Sequence, residues 1–144
     1  ILQKQSEKPV YIVRGNNDFS PNHPYEQVLK MENLTILITH GHKYNVKFSM
    51  DRLYFRAMEA EANLVLYGHT HVPVFKDLGG MYLLNPGSLT RPRRGGKGSY
   101  ATVITSQESF QATIYYWDPE EQKGSPEPED GKSTSGGFFR KIKF

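Results

Sequence analysis

Short apolar runs that end in glycine beside a polar side chain punctuate the first part of this chain. Pro9-Val10-Tyr11-Ile12-Val13 stops at Arg14-Gly15-Asn16-Asn17-Asp18. Leu34-Thr35-Ile36-Leu37-Ile38-Thr39 stops at His40-Gly41-His42, and Leu64-Val65-Leu66-Tyr67 stops at Gly68-His69-Thr70-His71. Runs of aliphatic, β-branched and aromatic residues of this length predict buried strands. Glycine at a strand end lets the backbone turn sharply or approach a ligand. If Gly68 breaks its strand, the two imidazoles that follow can converge on one place. Between the first two runs, Phe19 to His23 reads as loop, because Pro21 and Pro24 exclude a helix interior. Tyr25 to Met31 reads as a short helix or an irregular link, with a turn at Asn33.

From Ser49 to Ala62 the period becomes helical. Ser49 is the predicted N-cap. Leu53, Tyr54, Ala57 and Met58 form the inward stripe, and Asp51, Arg52, Arg56, Glu59 and Glu61 the solvent side. Asn63 is positioned to end the helix. Strand, helix and strand joined by short links predict an α/β layered fold.

Val72 to Phe75 and Met81 to Leu84 flank Asp77-Leu78-Gly79-Gly80 as a hairpin, which runs into a turn at Asn85-Pro86-Gly87-Ser88. Ser99 to Ser106 and Phe110 to Trp117 form a second hairpin. Residues 1–117 are thus the expected core. The Pro-, Glu-, Gly- and Ser-rich stretch 118–137 has almost no apolar residue to bury and is expected to be a disordered or mobile insert. Residues 138–144, apolar and basic, are expected to return as a terminal edge strand.

Composition narrows the chemistry. A net charge of +3 in 144 residues does not single out nucleic acid as a partner. The chain has no cysteine, which removes disulfides, thiolate catalysis and cysteine-bound zinc. No apolar run approaches the roughly 18–20 residues that span a bilayer, so no membrane partner is expected, and the expected location is the cytoplasm.

The strand-end ligand candidates are Asn16, His40, His42, His69 and His71. In an α/β sheet the strand carboxyl ends share one edge, where ligands bind. Imidazoles with amide and carboxylate oxygens suit first-row divalent metals such as manganese, iron, nickel or zinc. Gly15-Asn16-Asn17-Asp18, Thr39-His40-Gly41-His42, Gly68-His69-Thr70-His71 and Asn85-Pro86-Gly87-Ser88, in this order, resemble the motifs of the calcineurin-like metallophosphoesterases. The small YfcE-type phosphodiesterases of bacteria and archaea are the most similar branch, and the resemblance runs from about Pro9 to Trp117.

The resemblance implies an αββα four-layer sandwich with a two-metal centre at the strand ends. Carried over by motif, Asn16, His40 and His69 hold one divalent ion and His71 the other, with manganese foremost and nickel, iron or zinc as substitutes. The implied reaction is hydrolysis of a small phosphate ester by metal-bound hydroxide. Asn17 stands at a catalytic position where many members carry histidine. Asparagine cannot donate a proton as a general acid does, so the metals would carry more of the catalysis. His42 reads either as a ligand or as a hydrogen-bonding, substrate-side group. Arg91 and Arg93, with Arg94 and Lys97, read either as phosphate binders or as a solvated basic loop. Asn85 and Ser88 are expected to hold the turn beneath the site, and His23 to lie on the surface.

The family's opening Asp-x-His and Gly-Asp motifs do not occur here. They are expected upstream, in roughly 50 residues, about what two strand–helix units need; the N-terminal βα units are then missing from this segment, which alone is expected to be inactive. The competing expectation is a catalytically weak protein-interaction scaffold like the family's relative in the retromer coat. Nucleic-acid binding through Arg91 to Lys97 has little support, and a homo-oligomer is left open.

Overall fold

The structure, a computed structural model, describes residues 7–19, 21–93, 96–118, 123–126 and 140–143. A five-stranded sheet is built from β1 (Glu26–Met31), β2 (Leu34–Thr39), β3 (Leu64–Tyr67), β4 (Pro73–Asp77) and β5 (Tyr82–Pro86), in the spatial order β1-β2-β3-β5-β4. The three central strands are parallel, and the two edge strands run antiparallel to their neighbours. A second sheet contains β6 (Ser99–Thr105) and β7 (Ser109–Asp118), with β8 (Lys123–Pro126) and β9 (Arg140–Lys143) pairing with opposite ends of β7.

Alternation along the central strands explains the layering, because successive side chains leave a strand on opposite faces. Leu34, Ile36, Leu64 and Leu84 meet Phe110, Ala112 and Ile114 of the second sheet. Leu37, Val65, Tyr67 and Leu83 point the other way, onto Leu53 and Ala57 of the helix α1 (Asp51–Glu59). The described residues thus stack helix, sheet and sheet. Among them no helix covers the outer face of the second sheet.

The helix starts and stops for local reasons. Met50 holds the cap position, and Ser49 Oγ accepts the Asp51 N–H at 3.1 Å. At the other end Glu61 turns left-handed at φ 51°. Glu61 N–H then bonds Met58 C=O, and Ala62 N–H bonds Ala57 C=O at 2.9 Å, the pattern of a Schellman stop. The helix is therefore shorter than the 49–62 span its periodicity suggests. The buried stripe is also narrower. Leu53 and Ala57 are fully buried against β2, β3 and β5, but Met58 is 53% exposed. Burial of Leu53 alone is worth about 1.5–3 kcal/mol.

Other expectations need correction. Tyr25 to Met31 supplies a strand, neither helix nor irregular link. Met31 faces Leu34 across the Glu32-Asn33 turn, with Glu32 at φ 54°. As an edge strand with one open side, β1 carries Glu26, Gln27 and Lys30, which mask its alternation. Pro9 to Val13 forms no strand, since no ladder partner lies beside it among the described residues. Asn85 and Pro86 belong to β5, so the turn begins later than their dipeptide suggests. Within 118–137, residues 123–126 form β8; the remainder, and the residues 138–139 and 144 of the terminal segment, lie outside the described residues.

The parallel register fixes the site. Thr39 pairs with Tyr67, and Leu66 with Leu84. The segments after β2, β3 and β5 therefore leave the sheet along one edge.

Candidate functional site

The loop after β2 carries His40 and His42. Gly41 between them sits at φ 95°, where a side chain is strained, and a Cβ would also come within 3.0 Å of Val46. His40 Nδ1 lies 3.0 Å from His42 Nδ1, so one neutral ring donates and the other accepts. His69, from the loop after β3, brings its ring centroid to 4.9 Å from His40 and 6.2 Å from His42.

Gly68 does not make the turn after β3. His69 (φ 69°) and His71 (φ 59°) themselves adopt left-handed backbone, a conformation uncommon outside glycine and concentrated at functional sites. Thr70 N–H closes a tight turn onto Gly68 C=O at 2.8 Å. Asn85, fully buried at the end of β5, clamps this turn. Its Nδ2 donates to Gly68 C=O at 3.1 Å and to Thr70 Oγ1 at 3.0 Å, while its Oδ1 accepts the Gly87 N–H. Ser88 Oγ accepts the Arg91 N–H at 3.0 Å. Asn85 and Ser88 thus hold the turn, as their motif suggests.

His71 Nδ1 lies 2.8 Å from the Arg91 carbonyl oxygen. That contact requires Nδ1–H, which leaves the Nε2 lone pair as donor, the arrangement typical of a metal-binding histidine. Asn16, Asn17, His69, His71, Arg91 and Arg93 line one polar cavity of about 390 Å³ together with Lys47. Asn16 Nδ2 donates to Asn17 Oδ1 at 3.1 Å. Asp18 Oδ2 accepts the Gly15 N–H at 2.6 Å and closes the loop that carries both asparagines. Arg94 lies outside the described residues. His23 is partly exposed.

Burial and neighbouring positive charge push His40, His42 and His69 toward the neutral form. Burial and then the neighbouring His69 and His42 push His40 down to about 4. His69 is lowered by burial, then by Lys47 and by its histidine neighbours. His42 is lowered by burial, then by Lys43 and Arg14. Those two cations flank the Tyr25 ring, with Arg14 Cζ at 3.7 Å and Lys43 Nζ at 3.4 Å from its centroid. Neutral imidazole is the form that ligates a metal, so the chemistry of the donor set fits a divalent ion. Among the described residues, no three His, Asp or Glu side chains stand ready as a complete metal cluster. Asn16 and ions' further ligands would have to complete the set.

Lys47 and Tyr25 are absent from the sequence-based candidates. Neither sits in a motif; Lys47 follows His42 on the loop after β2 and reaches the cavity of His69 and His71, and Tyr25 comes to His42 from the residue before β1.

A family model described as the calcineurin-like phosphoesterase superfamily domain matches residues 1–108. The chain belongs to that superfamily. Calcineurin-like phosphoesterases are metal-dependent. The chain is 35% identical over 111 residues to the probable metallophosphoesterase YsnB of Bacillus subtilis, covering 77% of this chain and 64% of that protein. It is 33% identical over 103 residues to the phosphodiesterase YfcE of Escherichia coli K12, covering 65% of this chain and 52% of that protein. The chain therefore spans between half and two-thirds of these two relatives. A solved predicted phosphoesterase of Streptococcus pneumoniae TIGR4 superposes with a TM-score of 0.75 at 29% identity, over 93% of this chain and 70% of that one. A Vps29 double mutant of Entamoeba histolytica shares the fold at TM-score 0.72 and 21% identity, over 94% of this chain and 69% of that one. The metallophosphoesterase fold expected from the motifs is the fold observed. No helix among the described residues is long and apolar enough to cross a membrane.

Proposed function

We propose that the protein to which this chain belongs is a metal-dependent phosphodiesterase acting on small phosphate esters. The observation that carries the reading is the gathering of His40, His69 and His71 along one sheet edge, beside a cavity bordered by Asn16, Lys47, Arg91 and Arg93. Asn16, His40 and His69 would hold one divalent ion and His71 a second, with manganese the expected metal. Such ions supply Lewis acidity toward a phosphoryl oxygen and acidify water.

The chain's own residues have separate tasks. His42 orients His40 through their Nδ1 contact. The Arg91 carbonyl fixes the His71 tautomer. Lys47, Arg91 and Arg93 supply positive charge for the phosphate. Asn17 holds Asn16 and has no acidic proton to give a leaving group. A cytoplasmic location goes with this reading.

The test is hydrolysis of bis(p-nitrophenyl) phosphate by the full-length protein with manganese or nickel. Turnover should stop with a chelator and fall by two orders of magnitude or more, on the order of losing a metal-ligand shell, in His69→Ala and Asn16→Ala. Metal binding without turnover of any phosphate ester would favour the scaffold reading instead.

A further inference from the structure

We propose that a second cavity beside the histidines receives the organic group of the phosphate ester, and that this group is an uncharged planar ring. The inference rests on the phosphoester reading and names the substrate class of that site. The cavity measures about 560 Å³ and is lined by Met50, Tyr67, Thr70, Val72 and Val74. Its volume lies in the range of small-molecule sites. Lys47 and Arg93 border both this cavity and the polar one that holds His69 and His71. The two spaces thus meet at a pair of cations, where the anionic phosphate belongs.

One loop serves both spaces. His69 and His71 line the polar cavity, while Thr70 and Val72, which alternate with them, line the apolar one. An ester whose phosphorus sits by the histidines has its organic group within reach of Thr70 and Val72.

The walls decide what that group is. Away from Lys47 and Arg93 at the junction they are aliphatic, thioether and aromatic, apart from the Tyr67 hydroxyl and, on the loop, the Thr70 hydroxyl. The Thr70 oxygen already accepts from Asn85 Nδ2 at 3.0 Å and from the Val72 N–H at 3.3 Å. A polyhydroxylated sugar would lose its hydration there and gain few partners. A ring gains by burial against Tyr67, Val72, Val74 and the adaptable Met50.

Calorimetric titration of the full-length protein with phenylphosphonate and methylphosphonate, in manganese, tests this. Both probes present the same anion and differ in the ring. Phenylphosphonate should bind at least about tenfold tighter, within the range a hydrophobic pocket discriminates. Val74→Trp, which fills the cavity, should bring the ratio close to unity, and Val74→Ile should keep it; thermal unfolding shows whether the Trp variant is folded. Met50→Trp, from the start of the helix and so from a different element, gives an independent second loss. Equal binding of the two probes, no binding of either, or a preference that survives both Trp variants overturns the inference. Ring preference without turnover of bis(p-nitrophenyl) phosphate would retain the cavity assignment and remove the hydrolase reading. Turnover without ring preference would do the reverse.

Discussion

Asn85 donates its side-chain amide to Thr70 Oγ1 at 3.0 Å, and so ties the end of one central strand to the turn that follows another. The same Nδ2 reaches Gly68 C=O at 3.1 Å, and Oδ1 takes the Gly87 N–H at 2.9 Å. One buried amide thereby sets the backbone that presents His69 and His71.

Replacing Asn85 by Ala leaves these partners without their bonds in a closed environment. A loss of about 1–3 kcal/mol is expected, as for other buried groups stripped of a partner, read as a lower urea midpoint. Asn85→Asp should be worse. An acceptor would then face Gly68 C=O, where a donor is needed. An unchanged midpoint in both variants would show that the turn holds itself.

Glu26 makes acid stability measurable. Tyr44 O–H donates to Glu26 Oε2, and Arg56 donates to Oε1 from Nε at 2.9 Å and from a terminal nitrogen at 2.5 Å. Burial acts to raise the Glu26 pKa, but the Arg56 and Tyr44 bonds outweigh it and the net shift is downward. A carboxylate with a lowered folded-state pKa stabilises above its ordinary value, about 4.3, and loses that stability as pH falls through the folded one. The urea midpoint should therefore fall below about pH 4, and Glu26→Gln should flatten that part of the profile. Tyr44 works at the other end. Burial, then the bond to Glu26, raises it to about 12, so its contribution is full below about pH 10 and is lost as pH climbs through that raised value.

Much of this site is legible in the residues, and the reason is geometric. Leu64 to Tyr67 and Leu34 to Thr39 are apolar enough to be central strands, and parallel pairing then delivers whatever follows them to one edge. His40, His42, His69 and His71 are readable on that basis. The edge strand Glu26–Met31 is not, because one open side lets polar residues break its alternation. Pro9 to Val13 misleads for the opposite reason. Its composition suits a strand, but a strand exists only where another lies beside it. The apolar cavity is the least legible feature, since Met50, Tyr67 and Val74 come from three separate elements. The left-handed backbone at His69 and His71 is equally hidden, because the glycine before them is the residue that adopts such a turn most readily.

Gly87 tests how tightly the second sheet closes on this edge. It sits at φ 82°, and a Cβ there would fall 2.0 Å from Ser99 Oγ and 3.2 Å from Pro73 Cδ. Gly87→Ala should cost on the order of 1–2 kcal/mol for the left-handed backbone alone, with the clash added. Among the described residues the buried Ser99 Oγ has no hydrogen-bond partner, so Ser99→Ala by itself should be nearly neutral. Combined with Gly87→Ala it should recover the clash component and leave the backbone cost. Full additivity of the two changes in urea unfolding would contradict this geometry.

His69 and His71 offer the sharpest separation of stability from function. Both hold left-handed backbone at φ 69° and 59°, which strains any residue with a Cβ by about 1–2 kcal/mol. Glycine is ordinarily less stable than alanine by about 0.5–1 kcal/mol within regular structure. Here the order should invert, with His69→Gly and His71→Gly unfolding at higher urea than the corresponding Ala variants. All four should lose metal-dependent turnover, because each removes an imidazole from the cluster. Parallel urea and activity measurements decide the matter. Gly variants less stable than Ala would mean that the backbone relaxes once the imidazole is gone, so that the histidine side chain itself imposes the turn. Gly variants that are more stable and equally inactive would mean that the fold accepts backbone strain at these two positions in order to aim their rings.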